Sequence, residues 1–267
     1  MRRRDLSDVF ADLDLGDDVS VFVLHSSQFV HATENRLGLG GDQALTNAEH
    51  INLGALAEDI LNNILDFLAS QISSLTNPTN VANAIGSMRQ EKVNSALVSA
   101  YISHTIDAFL IRMAQRYDVK GKSYFNYPNK YYYTDIGLRN ARLNYRQYDP
   151  GHIMENIIYN ELVTRGYSVD VGMVEIKKQD KDGKWVRIQL EVDFIASLGS
   201  KKYYVQSALS IPDREKEIQE SRSLTNINDS FKKVIIVKDH IMPRRNEDGI
   251  LTIGLFDFLL KEDSLDI

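Results

Sequence analysis

Residues 185–210 read WVRIQLEVDFIASLGSKKYYVQSALS. They predict two strands joined at a turn over Gly199–Ser200. Glu191 and Asp193 stand two apart on the first strand, so an extended backbone projects both from one face. Upstream, HIMENIIYNELVTRG predicts a helix introduced by Asp149 and Pro150, buried along Ile153, Ile157, Ile158 and Leu162, and ended by Gly166. Between helix and strand lies YSVDVGMVEIKK, with a turn at Lys181–Asp182–Gly183. A charged helix over about 213–225, the buried strand KKVIIVKD, a short strand ILTIG and the helix LFDFLL follow. Helix, three strands, helix, strand is an α/β core, its mixed sheet covered by helices on both faces.

Working toward the N-terminus, KYYYTDIGLRNARL predicts an aromatic-rich strand opening this domain near residue 130. Before it, apolar residues Leu56, Ile60, Ile64, Phe67 and Leu68 recur at helical spacing. A short helix follows, capped by Thr76 or Asn77 with Pro78 in its first turn, facing inward through Val81, Ala82 and Ile85 and stopped by Gly86. A third helix starts near Asn94–Ser95, and DAFLIRMAQRYDVKGKSYFNY then predicts two strands joined at Asp118–Gly121. Three helices and a β-hairpin give the order of a winged helix-turn-helix. The expected organisation is an acidic N-terminal segment over residues 1–50, a winged helix over 51–128 and the α/β domain over 129–267. The fold class is α/β, or α+β over the whole chain.

Composition narrows the chemistry. The chain has 267 residues, of which 43% are hydrophobic and 25% charged, as in an ordinary globular protein. It has no cysteine, which excludes disulfides, thiolate metal sites and cysteine nucleophiles and suits a cytoplasmic location. No run of about 18 apolar residues predicts a membrane span. The start MRRRDLSDVF runs into further aspartates rather than an apolar core, so it does not read as a secretory leader. Gly38, Gly40 and Gly41 are followed by Asp42 and Gln43 instead of Lys-Ser or Lys-Thr, so no phosphate loop forms and ATP is not expected on this chain. The histidines 25, 31, 50, 104, 152 and 240 show no metal-ligand spacing, and no GxSxG elbow supports a hydrolase triad.

Net charge is −6, and six of the acids are aspartates within the first eighteen residues. The middle of the chain is the opposite. Between residues 112 and 146 stand Arg112, Arg116, Lys120, Lys122, Lys130, Arg139, Arg142 and Arg146 against only Asp118 and Asp135, with Tyr117, Tyr124, Phe125, Tyr127 and Tyr131–Tyr133 interleaved. Basic and aromatic side chains together suit a surface that tracks a nucleic-acid backbone, or a solvated wing with a tyrosine core. The third helix carries few basic residues beyond Lys92 at its approach, so base-specific reading is not expected of it.

ILDFLASQISSLTNPTNVANAI, AFLIRMAQRYDVKGKSYF, KYYYTDIGLRNARLNYRQ, HIMENIIYNEL and EVDFIAS together resemble the C-terminal half of a prokaryotic family of AAA-type ATP-binding proteins. The resemblance covers residues 55–262 and implies a winged helix followed by a domain similar to the PD-(D/E)xK nuclease fold. The resemblance does not extend to the motor domain of that family. The resemblance places Asp193 at the first acidic position of the nuclease motif, with Glu155 as an outer ligand and magnesium as the metal held by Glu191 and Asp193. The next strand should bring an acid and, two residues later, a lysine; this chain has Gln206 and Ala208. Loss of an anionic ligand and of the lysine removes charge neutralisation and water activation. Three readings follow: a non-catalytic module that binds nucleic acid or a protein partner, a Mg-dependent DNA endonuclease using Glu155, Asp193 and Gln206, and a regulatory or oligomerisation piece of a split ATPase with its motor on another chain.

Overall fold

A computed structural model describes residues 47–267, with side chains from residue 58 onward. The acidic segment expected over residues 1–50, the glycine-rich turn at 38–41 and His25, His31 and His50 lie outside the residues whose side chains are described. The described residues fall into two units, one ending at residue 63 and the other spanning 64–267. The first contributes the start of helix α1 (Asn47–Ser70), in which Asn63 Nδ2 donates to the Asp59 carbonyl oxygen.

The second unit begins within α1 and holds all later elements. Helix α2 (Pro78–Arg89) is capped by the Asn77 side chain, which accepts from the Asn80 N–H, and Pro78 fits its first turn, where no N–H is needed. Gly86 does not end this helix. The helix runs on to Arg89 and closes at Gln90, whose φ is +56°. Gly86 is needed for close approach instead, since a Cβ there would lie 2.7 Å from the Glu91 carbonyl oxygen. Helix α3 (Ser95–Asp107) starts at its Asn94 cap, as the sequence predicts.

Strands β1 (Ile111–Asp118) and β2 (Ser123–Tyr133) form the predicted hairpin. Helices α4 (Ile136–Arg142) and α5 (Pro150–Thr164) come next, each opened by an aspartate cap, Asp135 and Asp149. The chain then runs through β3 (Ser168–Gln179), β4 (Trp185–Leu198), β5 (Lys201–Ala208), α6 (Arg214–Thr225), β6 (Lys232–Val237), β7 (Arg244–Arg245), β8 (Leu251–Gly254) and α7 (Leu255–Leu260). All eight strands belong to one mixed sheet in the order β2-β1-β3-β4-β5-β6-β8-β7. The mixed α/β expectation therefore holds.

The hairpin expected as a wing is the edge of this sheet. β1 pairs in parallel with β3 from Arg116 to Asp118, and the expected domain boundary at residues 128–129 lies inside β2. The aromatic stretch KYYY (residues 130–133) is the end of β2 rather than a new element. Alternation assigns its side chains: Tyr132 packs with Ile158 and Leu162 of α5, and the Tyr133 hydroxyl donates to the Leu65 carbonyl oxygen.

Two cores sandwich the sheet. On one face Ala114, Tyr132, Phe194, Val205, Val234 and Ile253 meet α5 and Phe258 of α7; on the other Val192, Ile195, Tyr204, Ile235 and Val237 meet Leu224 of α6. In α5 the buried stripe is Met154, Ile158, Tyr159 and Leu162, while Ile153 and Ile157 are only half-buried, a slip of one position from the sequence reading. The pairs Asp170–Ile195 and Gly172–Val192 leave Asp193 and Phe194 together opposite Val171, which is a β-bulge. Gly172 makes room for it: a Cβ there would lie 2.8 Å from Val192 Cβ. Gly172→Ala should cost about 1–3 kcal/mol by overpacking. An unchanged thermal midpoint would contradict this account of the bulge.

Candidate functional site

The bulge re-aims β4 at its most polar point. Phe194 joins the core under α5 while its neighbours Val192 and Ile195 join the opposite core. Asp193 is buried, and its Oδ2 accepts the Ser207 backbone N–H at 2.7 Å. Glu155 projects from α5 toward the same region. Its Oε1 accepts from Tyr132 Oη at 2.9 Å and from Lys130 Nζ at 2.9 Å. Glu191 completes the group, its Oε1 lying 2.6 Å from the same ammonium. Glu155, Glu191 and Asp193 thus all lie around the Lys130 ammonium.

Lys130 is, with Arg139, a cation whose sequence context does not reveal its burial. Its sequence neighbours place it with a basic surface, yet its side chain is only 4% exposed and bridges Glu155 and Glu191. One signal was available. Lys130 and Tyr132 alternate on β2, so a buried Tyr132 on the α5 side carries Lys130 to that side as well. Burial pulls the ammonium's pKa down, but Glu155, Asp193 and Glu191 outweigh it together and the net shift is upward. The lysine is a fixed cation at neutral pH. Asp193 is shifted the other way for a carboxylate. Burial and the Glu155 charge raise its pKa well above the usual range, and Lys130 and the Ser207 N–H only partly offset them. Burial and Glu155 also hold the Tyr132 hydroxyl protonated, so that it serves as a donor.

Gln206 borders the cleft that holds Glu155 and Asp193, but its amide oxygen does not bond to them. It alternates with Val205, which faces α5, and its Oε1 instead accepts from Ser223 Oγ of α6 at 3.2 Å. Ala208 packs in the core beneath α6. Among the described residues no three histidine, aspartate or glutamate side chains are grouped so as to hold a metal ion. A cleft of about 440 Å³ opens over Glu155 and Asp193, bordered by His152, Ser207 and Lys216. A larger hollow of about 720 Å³ lies beside α6 near Arg222, Arg244 and Glu247, away from the carboxylates.

At the cleft, His152 Nδ1 lies 2.5 Å from Ser73 Oγ, and its Nε2 lies 3.7 Å from Asp149 Oδ2. The three residue types match a hydrolase triad, but Ser73 is 1% exposed. A serine closed off from solvent anchors the imidazole and presents no nucleophile to a substrate.

The remaining basic residues divide. Arg139 is fully buried, donating Nε to the Ala69 carbonyl oxygen and Nη1 to that of Gln147. Arg142 pairs with Asp66 at 2.8 Å. Arg116 donates to Gln189 and lies over the Phe125 ring, and Lys120 Nζ donates to the Glu175 carbonyl oxygen. Those last two, with Lys122, flank the β1–β2 turn. The stripe seen in sequence is thus partly structural and partly surface.

The comparisons with known proteins bear on identity. A family model described as a domain of unknown function (DUF8612) matches residues 52–149. An uncharacterised protein of Haemophilus influenzae is 34% identical over 202 residues, 76% of this chain and 46% of its own length. The chain thus spans about half the length of that relative. A crystal structure of protein VC1899 from Vibrio cholerae is similar over 77% of this chain and 55% of its own, at 11% identity and a TM-score of 0.32. These findings overturn the expected membership in a family of AAA-type ATP-binding proteins, because the matched family is one of unknown function and the matched relative is uncharacterised. Among the described residues no helix is long and apolar enough to cross a membrane.

Proposed function

We propose that this protein is a nucleic-acid-binding module built on a PD-(D/E)xK-like sheet whose carboxylate site does not turn over substrate. The observation that carries the reading is the Lys130 ammonium, held between Glu155 and Glu191. A metal-dependent nuclease needs anionic ligands free to take up a divalent cation. Here a lysine supplies the neutralising charge, a backbone N–H occupies Asp193, and the Gln206 oxygen is engaged by Ser223. The residues present do not fit a magnesium site.

Binding is supported by the exposed cations that remain on the β1–β2 edge, Lys120 and Lys122 among them, beside exposed Tyr124 and Tyr127. Phosphate contacts release counterions, so affinity for a labelled oligonucleotide should fall steeply between 50 and 200 mM salt, by about tenfold or more for three or so contacts. Fluorescence anisotropy reads this directly. Absent or salt-insensitive binding would sink the proposal.

One observation favours the alternative of a Mg-dependent DNA endonuclease. Lys130 does bring a lysine to the carboxylates, from β2 rather than from β5, the strand on which the nuclease motif carries it. Cleavage assays with metal separate the two readings.

A further inference from the structure

The long β3–β4 hairpin leaves the sheet. β1 accompanies β3 only from Val171 to Met173, and β5 accompanies β4 only from Phe194 to Leu198. Beyond these limits the pairs run from Glu175–Gln189 to Gln179–Trp185 with no third strand, a ribbon of five residue pairs. At about 3.4 Å per residue it projects roughly 15 Å. The Asp180 side chain closes its tip, accepting from the Asp182 and Lys184 N–H groups, and Gly183 takes the positive φ of +77° that the turn requires.

The ribbon carries Lys177, Lys178, Lys181, Lys184 and Arg187 against three acids, Glu175, Asp180 and Asp182. Arg187 reaches Glu175 at 3.4 Å, and among the described residues none of the four lysines has an ion-pair partner. Lys177 stands directly opposite Arg187, an arrangement that repels unless an anion lies between them. Trp185, the chain's single tryptophan, is 69% exposed on the same face of the ribbon. An indole that contributes nothing to a core is available as a stacking surface. Lys120 and Lys122 of the neighbouring turn extend the basic field, with Lys120 bonded to the ribbon at the Glu175 carbonyl.

We propose that the β3–β4 ribbon is an arm for single-stranded nucleic acid, with Lys177, Lys184 and Arg187 on the phosphates and one base stacked on Trp185. It rests on the nucleic-acid-binding reading above and names the element and the form of the ligand. A lone exposed tryptophan among lysines fits unpaired bases, whose faces are open, better than a duplex, whose faces are stacked away.

The single tryptophan makes the test direct. The 267-residue chain is titrated with a labelled thymidine oligonucleotide, following tryptophan emission and label anisotropy together. Emission should be quenched along the same isotherm as the anisotropy rise, and a duplex of equal length should bind at least tenfold more weakly. Trp185→Ala should weaken binding on the order of tenfold, with Trp185→Phe restoring most of it. Lys177→Glu combined with Lys184→Glu should lower the salt slope by about 1.4, for two lost single-strand phosphate contacts. These positions lie outside both cores, and unchanged circular dichroism checks that the variants fold. Oligonucleotide binding without quenching, or unaffected by these variants, overturns the arm and leaves the binding module standing. Equal affinity for duplex overturns the single-strand assignment. No binding to any nucleic acid overturns both proposals.

Discussion

Lys130→Met should destabilise the protein by about 3–5 kcal/mol, the usual cost of removing one partner from a buried ion pair. Methionine matches the stem in length, so packing changes little and the loss is electrostatic. Without the ammonium, Glu155 keeps only the Tyr132 hydroxyl, and Asp193 keeps the Ser207 N–H. Glu191 is 37% exposed and can rehydrate, so Glu155 and Asp193 carry most of the penalty. In a unit of about two hundred residues the thermal midpoint should fall on the order of 10 °C.

The same variant should show a distinct pH dependence. Asp193 has a folded pKa above its ordinary 3.8, so between those values the native state holds more protons than the unfolded one. Its contribution to stability is present at low pH and declines as pH rises through the folded pKa. Lys130 limits that rise in the native protein; its own contribution persists through neutrality, because its pKa is raised and is lost only in strong alkali. Removing it steepens the decline. The gap between Lys130→Met and the native protein should therefore widen from acid toward neutral pH in denaturant titrations. A constant gap would show that Lys130 acts by packing alone.

Asn156→Leu is the second large effect. Asn156 is fully buried on α5, and it clamps the free edge of β2 with two bonds: Oδ1 accepts the Tyr133 N–H at 2.8 Å and Nδ2 donates to the Tyr133 carbonyl oxygen at 2.7 Å. Leucine fills a similar volume but leaves the N–H without a partner, a cost of about 2–4 kcal/mol once the lost bonds are included. The carbonyl is covered better, since Asn160 Nδ2 also donates to it at 2.8 Å. Asn160→Ala should thus cost only about 1 kcal/mol. Equal losses for the two variants would refute this division of labour.

The helices α2, α3, α5 and α6 and the strands β3 to β6 were legible because their signals are local. Caps such as Asn77, Asn94 and Asp149 sit beside the apolar positions they introduce. What was not legible was partnership. A hairpin such as β1–β2 has the same local pattern whether it is a free wing or a sheet edge; its parallel pairing with β3 depends on residues fifty positions away. Glu155, Glu191 and Asp193 could be named as a group, although simple alternation gave no hint of the bulge at Asp193–Phe194. Lys130 and Arg139 read as surface charges because lysine and arginine are seldom buried. Their burial follows from Glu155 and from the Ala69 and Gln147 carbonyls, none of which is adjacent in sequence.

The central proposal is that Lys130, rather than a metal ion, neutralises Glu155, Glu191 and Asp193, leaving a carboxylate cluster that does not cut nucleic acid. Supercoiled plasmid and linear single-stranded DNA incubated with the protein in Mg²⁺ and in Mn²⁺ test it most directly. Both substrates should remain uncut over hours at salt concentrations where binding is measured. Nicking that requires metal and disappears in Asp193→Ala would contradict the account and establish the nuclease.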